Sequence, residues 1–435
     1  MKRVVLTQNL DEKSYVRRDY QMDLSRLKRT FSVRVLRSPD IRDVTHEKVE
    51  DSVIVSDYIR ENELGESSKI EKGKSYKLLD IKVDWPEHIR KPKVGLTVDR
   101  NSRPHWVKYE YFLKKNEISY EIFEHRTSDW LEKAKRYDLI IWSLDVGPWE
   151  HEEIKRKITI IENNLGIKSF PSLPEIMLYD NKLMEVELLQ LYKLPVAETF
   201  ISHSYKEIME TIPKLAYPLV SKMSNGSTSE EVFLVENPKT ATKIAKSSFS
   251  RYGRKTHWPC YRQKDYVYFQ KFIEGEKYDL RIIVSANMIT GYFRDCPEGD
   301  FRASGAHKTR KVDIPIEAID IALKVFYEIS NSSIAVDMIK STKGEYKIIE
   351  LSQFTWSRTP VRMAVNGYPG FYFLHKDGRL EFMQGFYWNE EEILKAYFEM
   401  NYLSDPKSWK EQYILPVIEK GKLRKDHNAI EEERY

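Results

Sequence analysis

Short apolar runs alternate with amphipathic helical patterns over most of the chain. That rhythm predicts a parallel sheet with crossover helices, followed by antiparallel hairpins. From Lys93, KVGLTV predicts a strand, HWVKYEYFLKKN an amphipathic helix, and SYEIFEH and YDLIIWSLD two further strands. The strand ends LTVDRNS and WSLDVG would lie at the carboxyl edge of that sheet, where open α/β sheets bind ligands. After HEEIKRKITIIENNLG, the two prolines of SFPSLPEIMLYDNK read as a linker. NKLMEVELLQLYKL has apolar positions at helical spacing, PVAETFIS returns to extended chain, and YPLVSKMSNGSTSEEVFLV reads as strand, small polar loop, strand. YVYFQKFI predicts a strand and DLRIIVSANMITGYFRD a hairpin turning at Ala286-Asn287. IPIEAIDIALKVFYEIS predicts a helix with Asp313 and Pro315 as start signals. IAVDMIKSTKGEYKIIELS closes this region as a second hairpin. Residues 1–90 are the least patterned: VVLTQ, FSVRVL and DSVIVSDYI predict strands, and NELGESSKIEKGKS a loop. Near the other end, FYFLHKDGRLEFMQGFYW reads as a docked hairpin and WNEEEILKAYFEMNYL as a helix.

A chain of 435 residues is too long for one core and predicts roughly two to four domains. It contains no uninterrupted apolar run near the ~18 residues of a membrane span, and the apolar stretch after MKR is too short for a signal peptide. Net charge is +4, from 71 basic and 67 acidic residues, a balance that gives no reason to expect a nucleic-acid partner. Cys260 and Cys296 form neither a disulfide framework nor a metal motif, which fits a reducing cytoplasm.

Five places carry candidate chemistry. With the last hairpin turning at Lys343-Gly344, Asp337 faces Glu350, and Ser352 lies two positions on along the same face. Directly opposed side chains stand roughly 5 Å apart at Cβ, so two carboxylates there repel unless a shared cation such as Mg²⁺ sits between them. In the preceding hairpin Asp279 opposes Arg294 and Arg281 opposes Tyr292, all on one face. Guanidinium forks suit phosphate oxygens, although alone such a face is more often a surface ion-pair ladder. Lys222 stands where YPLVSK meets the loop MSNGSTSEE, a small hydroxyl-rich segment able to approach phosphates, without the spacing of a Walker A loop. Lys182 opens a helix after Asp180 and Asn181. Gln270, Phe272 and Ile273 end a strand where a purine could meet backbone groups and apolar faces.

In their order along the chain these motifs, YDNKLMEVELLQLYKLPVAETF, YPLVSKMSNGSTSEEVFLV, YFQKFIEGEKYDLRIIV, FRASG and AVDMIKSTKGEYKIIELS, resemble the ATP-grasp superfamily in its glutamate-ligase-like, RimK-like branch. The resemblance covers about residues 93–365. It implies an α/β chain with an ATP-grasp fold, two α+β subdomains sandwiching ATP, preceded by a small parallel-sheet domain. The expected division is an accessory segment at 1–90, the pre-ATP-grasp domain at 91–172, the ATP-grasp domain at 173–370 and an accessory helical segment at 371–435. The resemblance also implies roles. Lys182 and Lys222 would contact nucleotide phosphates and adenine N7, with Ser227 in the phosphate loop. Gln270, Phe272 and Ile273 would meet adenine, and Asp279 the ribose hydroxyls. Arg281, Arg294, Arg302 and Ser304 would stabilise the transferring phosphoryl group, and Asp337, Glu350 and Ser352 would hold Mg²⁺. Where the family usually reads acidic-x-Asn, this chain has Glu350-Leu351-Ser352, with Gln353 the neighbouring candidate. QFTWSRTP replaces the usual glycine-rich segment that shapes the acceptor pocket.

The implied reaction is carbon–nitrogen ligation: ATP activates a carboxylate as an acyl phosphate, and an amine displaces phosphate. The partners expected are a small-molecule carboxylate and amine, or a modified polymer, with no nucleic acid or membrane; homo-oligomer formation is left open, as a role for the accessory segments. A nucleotide-binding regulatory or scaffold protein with a weakened metal site is the alternative, motivated by Ser352. A transferase that activates a carboxylate without an amine acceptor is a third reading.

Overall fold

The computed structural model describes residues 79–99, 105–144, 147–226, 231–258, 261–303, 308–354 and 361–427, together with two short strands nearer the start. The chain divides into two units, Met1–Lys48 and Val49–Tyr435. In the first, Asp19–Tyr20 pairs antiparallel with Val33–Arg34, the latter inside the expected FSVRVL strand. The expected strands VVLTQ and DSVIVSDYI lie outside the described residues.

In the second unit, strands β1 (Val94–Leu96), β2 (Tyr120–Ile122), β3 (Leu139–Ile141) and β4 (Lys168–Phe170) form a parallel sheet in the order β2-β1-β3-β4. Helices α1 (Trp106–Lys115) and α2 (Pro148–Leu165) are its longest crossovers. β1 and β3 are buried along their length, as a sheet covered on both faces requires. At the carboxyl edge, the Asp99 carboxylate accepts from the His105 and Trp106 backbone N–H groups and from Ser143 Oγ. It therefore satisfies donors at the start of α1.

The two prolines read as a linker belong to ordered structure. Pro174 lies in the first turn of α3 (Leu173–Leu178), where its missing N–H costs nothing, and Ser172 with Glu175 forms a capping box. The spacing signal was lost because the helix is under two turns long. α4 (Lys182–Leu191) follows, its Asn181 cap accepting from Met184 N.

A four-stranded antiparallel sheet comes next: β5 (Thr199–Ser202), β6 (Leu219–Ser221), β7 (Phe233–Val235) and β8 (Val267–Lys271), in the order β5-β8-β6-β7. Ile208, Ile212, Ala241, Ile244 and Ala245 pack against one of its faces. The larger sheet has nine strands among the described residues. Its main path runs β12-β11-β9-β10-β14-β15-β16, built from β9 (Tyr278–Ser285), β10 (Met288–Asp295), β11 (Ser333–Lys340), β12 (Tyr346–Ser352), β13 (Met363–Val365), β14 (Tyr368–Leu374), β15 (Arg379–Gln384) and β16 (Arg424–Asp426). β13 pairs with β14, and Thr309–Arg310 with β10.

One face of the large sheet buries Leu280, Ile282, Val284, Val336 and Ile348 under α6 (Ile316–Ile329), numbered after α5 (Pro238–Ser248). The α6 residues Ala318, Ile319, Ala322, Leu323, Val325 and Phe326 form the stripe that meets it. The cap of α6 is Pro315; Asp313 instead holds Ile314 N, Tyr372 OH and Lys425 Nζ. In the segment after 371 the expected docked hairpin is formed by β14 and β15, ahead of the expected helix. β14, β15 and β16 extend the sheet, and α7 (Asn389–Tyr397) then packs against α1. RLEFMQ shows the alternation of a strand, whereas YPGFYFL is buried along most of its length.

Candidate active site

The residues with chemistry come from the small and large sheets and from α4. Most of them line one cavity of about 400 Å³, whereas Lys182 and Arg281 stand behind its wall, paired to Glu350 and Asp337. Its walls include Lys222 and Gln270 from the small sheet and Asp279, Arg294, Asp337 and Glu350 from the large one.

The β9–β10 hairpin turns where expected, with Asp279 opposite Arg294 and Arg281 opposite Tyr292. β11 then places Asp337 opposite Arg281. The result is a row of alternating charge. Arg281 donates to Asp337 through Nε and Nη2, each at 2.7 Å, and Arg294 Nη2 reaches the same carboxylate at 2.6 Å. Arg294 also grips Asp279, with Nε–Oδ1 at 2.5 Å and Nη2–Oδ2 at 2.8 Å. Burial opposes charge on Asp337, yet Arg281 and Arg294 outweigh it and hold its pKa far below the usual carboxylate range. For Asp279 burial dominates, only partly offset by Arg294, and its pKa is pushed up to about 6.

Asp337 and Glu350 do face each other, but the hairpin reaches that pairing through a β-bulge. Met338 pairs with Ile348 while Asp337 pairs with Glu350, so Ile349 is an extra residue. Its carbonyl, left out of the ladder, accepts from Lys222 Nζ at 2.7 Å. Lys222 is buried and lies over the Tyr268 ring; burial lowers its pKa, against the pull of Glu350. Lys182 Nζ donates to Gly226 O at 2.7 Å and pairs with Glu350 Oε1 at 3.1 Å. Burial works against its charge, but Glu350, Asp180 and Glu185 hold its pKa above the ordinary lysine value.

Gln270 lines the cavity, its Nε2 donating to Tyr268 OH and Thr199 Oγ1. Phe272 and Ile273 line it as well, but the Phe272 N–H is spent on Pro218 O at 3.2 Å, so only the carbonyl of Phe272 remains for a ligand. Arg302 stands on the cavity wall, paired to Asp300 at 2.8 Å. The Ser352 hydroxyl is engaged by Phe354 O at 3.0 Å. Ser227 and Ser304 lie outside the described residues.

Sequence reading missed Glu185 and Asp180. Glu185 sits three residues after Lys182, on the same helical face, and its Oε2 accepts from Leu351 N at 2.9 Å. Burial, partly offset by Lys182, pushes its pKa up to about 8. Asp180 accepts from Gly226 N at 2.9 Å and so fixes the entry of the polar loop. A carboxylate at i+3 from the lysine was the available signal.

The donor set suits a hard divalent cation. Asp337 and Glu350 face each other and both are held ionised, the latter because Lys182 and Lys222 outweigh burial. Among the described residues no cluster of three or more His, Cys, Asp or Glu side chains surrounds them. An ion held by two carboxylates would complete its shell with water or phosphate oxygens, the habit of Mg²⁺.

This geometry of facing sheets, two lysines and two cavity carboxylates coincides with a family match: the RimK-like ATP-grasp domain model matches residues 179–355. Residues 179–355 are thus similar to RimK-like ATP-grasp domains. Relatives of the chain include a probable alpha-L-glutamate ligase of Haemophilus influenzae, 27% identical over 169 residues, which covers 38% of this chain and 52% of the relative. The alpha-aminoadipate–LysW ligase LysX of Saccharolobus solfataricus is 25% identical over 187 residues, 42% of this chain and 65% of the relative. The chain thus spans about half the length of the glutamate ligase it matches. Among solved structures, a RimK domain ATP-grasp protein from Sphaerobacter thermophilus aligns at a TM-score of 0.44 and 15% identity, covering 60% of this chain and 90% of that one. The matched residues contain α4, the four-stranded sheet, α5, α6 and strands β9 to β12 of the larger sheet.

Proposed function

We propose that the protein is an ATP-dependent carboxylate–amine ligase using the ATP-grasp mechanism. The observation that carries this reading is the single cavity where Lys222 meets the Arg281–Asp337–Arg294–Asp279 row and Glu350. ATP would lie with its adenine between Gln270, Phe272 and Ile273, its ribose near Asp279 and its phosphates toward Lys182 and Lys222. The γ-phosphoryl group passes to a carboxylate oxygen as its bond to ADP breaks. An amine nitrogen then attacks the acyl carbon, phosphate leaves and the nitrogen gives up a proton.

The chain's contribution is positioning and electrostatics, with Arg281, Arg294 and Arg302 set to neutralise charge that develops on the transferring group. Asp337 and Glu350 are the residues that would hold Mg²⁺, which when bound supplies charge neutralisation at the β- and γ-phosphates. Asp180 and Lys182 hold Gly226, the residue that leads into the polar loop, so the loop's anchor belongs to the same charge network. The relatives' names point to amino-acid substrates, glutamate in one and aminoadipate in the other. We assign this chain only the class, a carboxylate and an amine.

Pooled carboxylates and amines assayed for ADP release with ATP and Mg²⁺ test the proposal. Lys222→Ala and Glu350→Ala should each abolish substrate-dependent release, and undiminished release in either variant would sink it. A second reading, an ATP-binding regulatory protein, draws support from the engaged Ser352 hydroxyl. It predicts thermal stabilisation by ATP with no ADP formed across the whole panel.

A further inference from the structure

A second cleft, of about 310 Å³, opens on another part of the unit. It shares no lining residue with the nucleotide cavity. One wall is Glu162, from the last turn of α2, with Lys168 of β4; the other is Tyr397 and Asn401. Asn401 belongs to a π-helical turn, Phe398–Tyr402, that continues α7. Such turns are rare and recur at functional sites, because the wide turn re-aims groups that an α-helix would hold along its axis.

The polar groups of this cleft are arranged for something beyond each other. Glu162 and Lys168 lie close enough to interact electrostatically, yet they do not pair directly. Glu162 Oε2 accepts from Leu173 N at 3.0 Å, and Lys168 Nζ donates to the carbonyl of Asn401. The Tyr397 ring is buried to 2% exposure, but its hydroxyl makes no hydrogen bond among the described residues. A buried phenol normally finds a partner for its O–H. Burial pushes Glu162 up to about 7, with Glu175 adding to the rise and Lys168 opposing it. A cation entering beside Glu162 would restore its charge.

We propose that this cleft binds a free α-amino acid, its ammonium group on Glu162 and its carboxylate on Lys168 and the Tyr397 hydroxyl. The separated charges of opposite sign match a zwitterion, and a simple anion or cation would satisfy one of them and leave the other. The volume, at the low end of the roughly 300–1,000 Å³ typical of ligand pockets, admits a molecule of that size. The cleft also adjoins the strand that carries Asp337. Asn401 Nδ2 donates to Asn331 O at 2.9 Å, and Ser332 Oγ donates to Glu175, both immediately before β11.

Isothermal titration calorimetry of the full chain with free L-amino acids tests the site, against the matching monofunctional amines and carboxylic acids. At least one amino acid should bind, and neither of its monofunctional fragments should bind within roughly tenfold of it. Glu162→Gln and Lys168→Met should each weaken it by roughly tenfold or more, while both variants keep wild-type ATP binding as proof of folding. In Lys222→Ala, where the nucleotide site is disabled, amino-acid binding should persist unchanged. No binding by any amino acid, binding indifferent to both cleft variants, or binding lost in Lys222→Ala would each overturn the inference; the last would place the amino acid in the ligase site.

Discussion

Replacing Asp337 by Asn removes one charge at nearly constant shape, and the structure says what that charge supports. Asp337 is 3% exposed and accepts three hydrogen bonds from two guanidinium groups, at 2.7, 2.7 and 2.6 Å. The row Arg281, Asp337, Arg294, Asp279 is neutral; with Asn it carries +1 in a buried position. The asparagine also turns an NH₂ group toward one of the donors it replaced an acceptor for. Removing one partner of a buried ion pair costs about 3–5 kcal/mol, and the amide oxygen that remains favours the lower end. At roughly 2–4 °C per kcal/mol for a cooperative segment the size of residues 179–355, the transition of that segment in the nucleotide-free variant should fall about 6–12 °C below the wild type. Differential scanning calorimetry of the full chain at pH 7 measures this, beside an assay for ADP formation, which should be lost. ATP added with a metal chelator should recover part of the deficit, because the triphosphate offers the two arginines new anions. A variant that melts within about 1 °C of the wild type, or that ATP destabilises further, would refute the reasoning.

Other outcomes follow from groups at the margins of the site and in the core. Glu391 is fully buried and burial pushes it up to about 8, so its stabilising proton is fully present below its unfolded value near 4.5 and is lost as pH rises through 8. Glu391→Gln should therefore match the wild type at pH 5 and exceed it at pH 9 by on the order of 3–5 kcal/mol in urea unfolding; parallel pH profiles would count against it. Gly275 lines the nucleotide cavity, and a Cβ there would stand 2.2 Å from the Lys340 carbonyl oxygen. Gly275→Ala should destabilise by about 1–3 kcal/mol and weaken ATP binding in calorimetry; unchanged values in both would show that the strand yields freely.

The β9–β10 hairpin was legible to the residue, because the turn at Ala286-Asn287 is short and both strands alternate cleanly. Ala286 takes the positive φ of 51° that such a turn requires. Facing residues then follow by arithmetic. The Asp337–Glu350 pairing was also foreseen, but the bulge that produces it was not. The sign of it lies in YKIIELS, where Tyr346, Ile348 and Leu351 are the buried positions and two consecutive residues, Ile349 and Glu350, fall between. Two adjacent isoleucines conceal that break, since either could face the core. What escaped altogether was long-range. Glu185 meeting Leu351 N and Glu390 meeting Lys108 join residues far apart in the chain, and no local period encodes them. Phe272 shows the same limit: its position at the strand exit was readable, its N–H bond to Pro218 was not.

Strike Ile349 out of β12 and the remaining sequence alternates without fault: Tyr346 inward, Lys347 outward, Ile348 inward, Glu350 outward, Leu351 inward. Glu350 would still sit across from Asp337. The hairpin is thus one residue longer than its own architecture calls for, and the surplus residue is not one of the buried positions of the strand. It lines the cavity, and its main-chain oxygen, released from sheet duty, is handed to Lys222. Here an insertion, ordinarily a flaw in a repeating pattern, serves as a spare part that ties the small sheet to the large one.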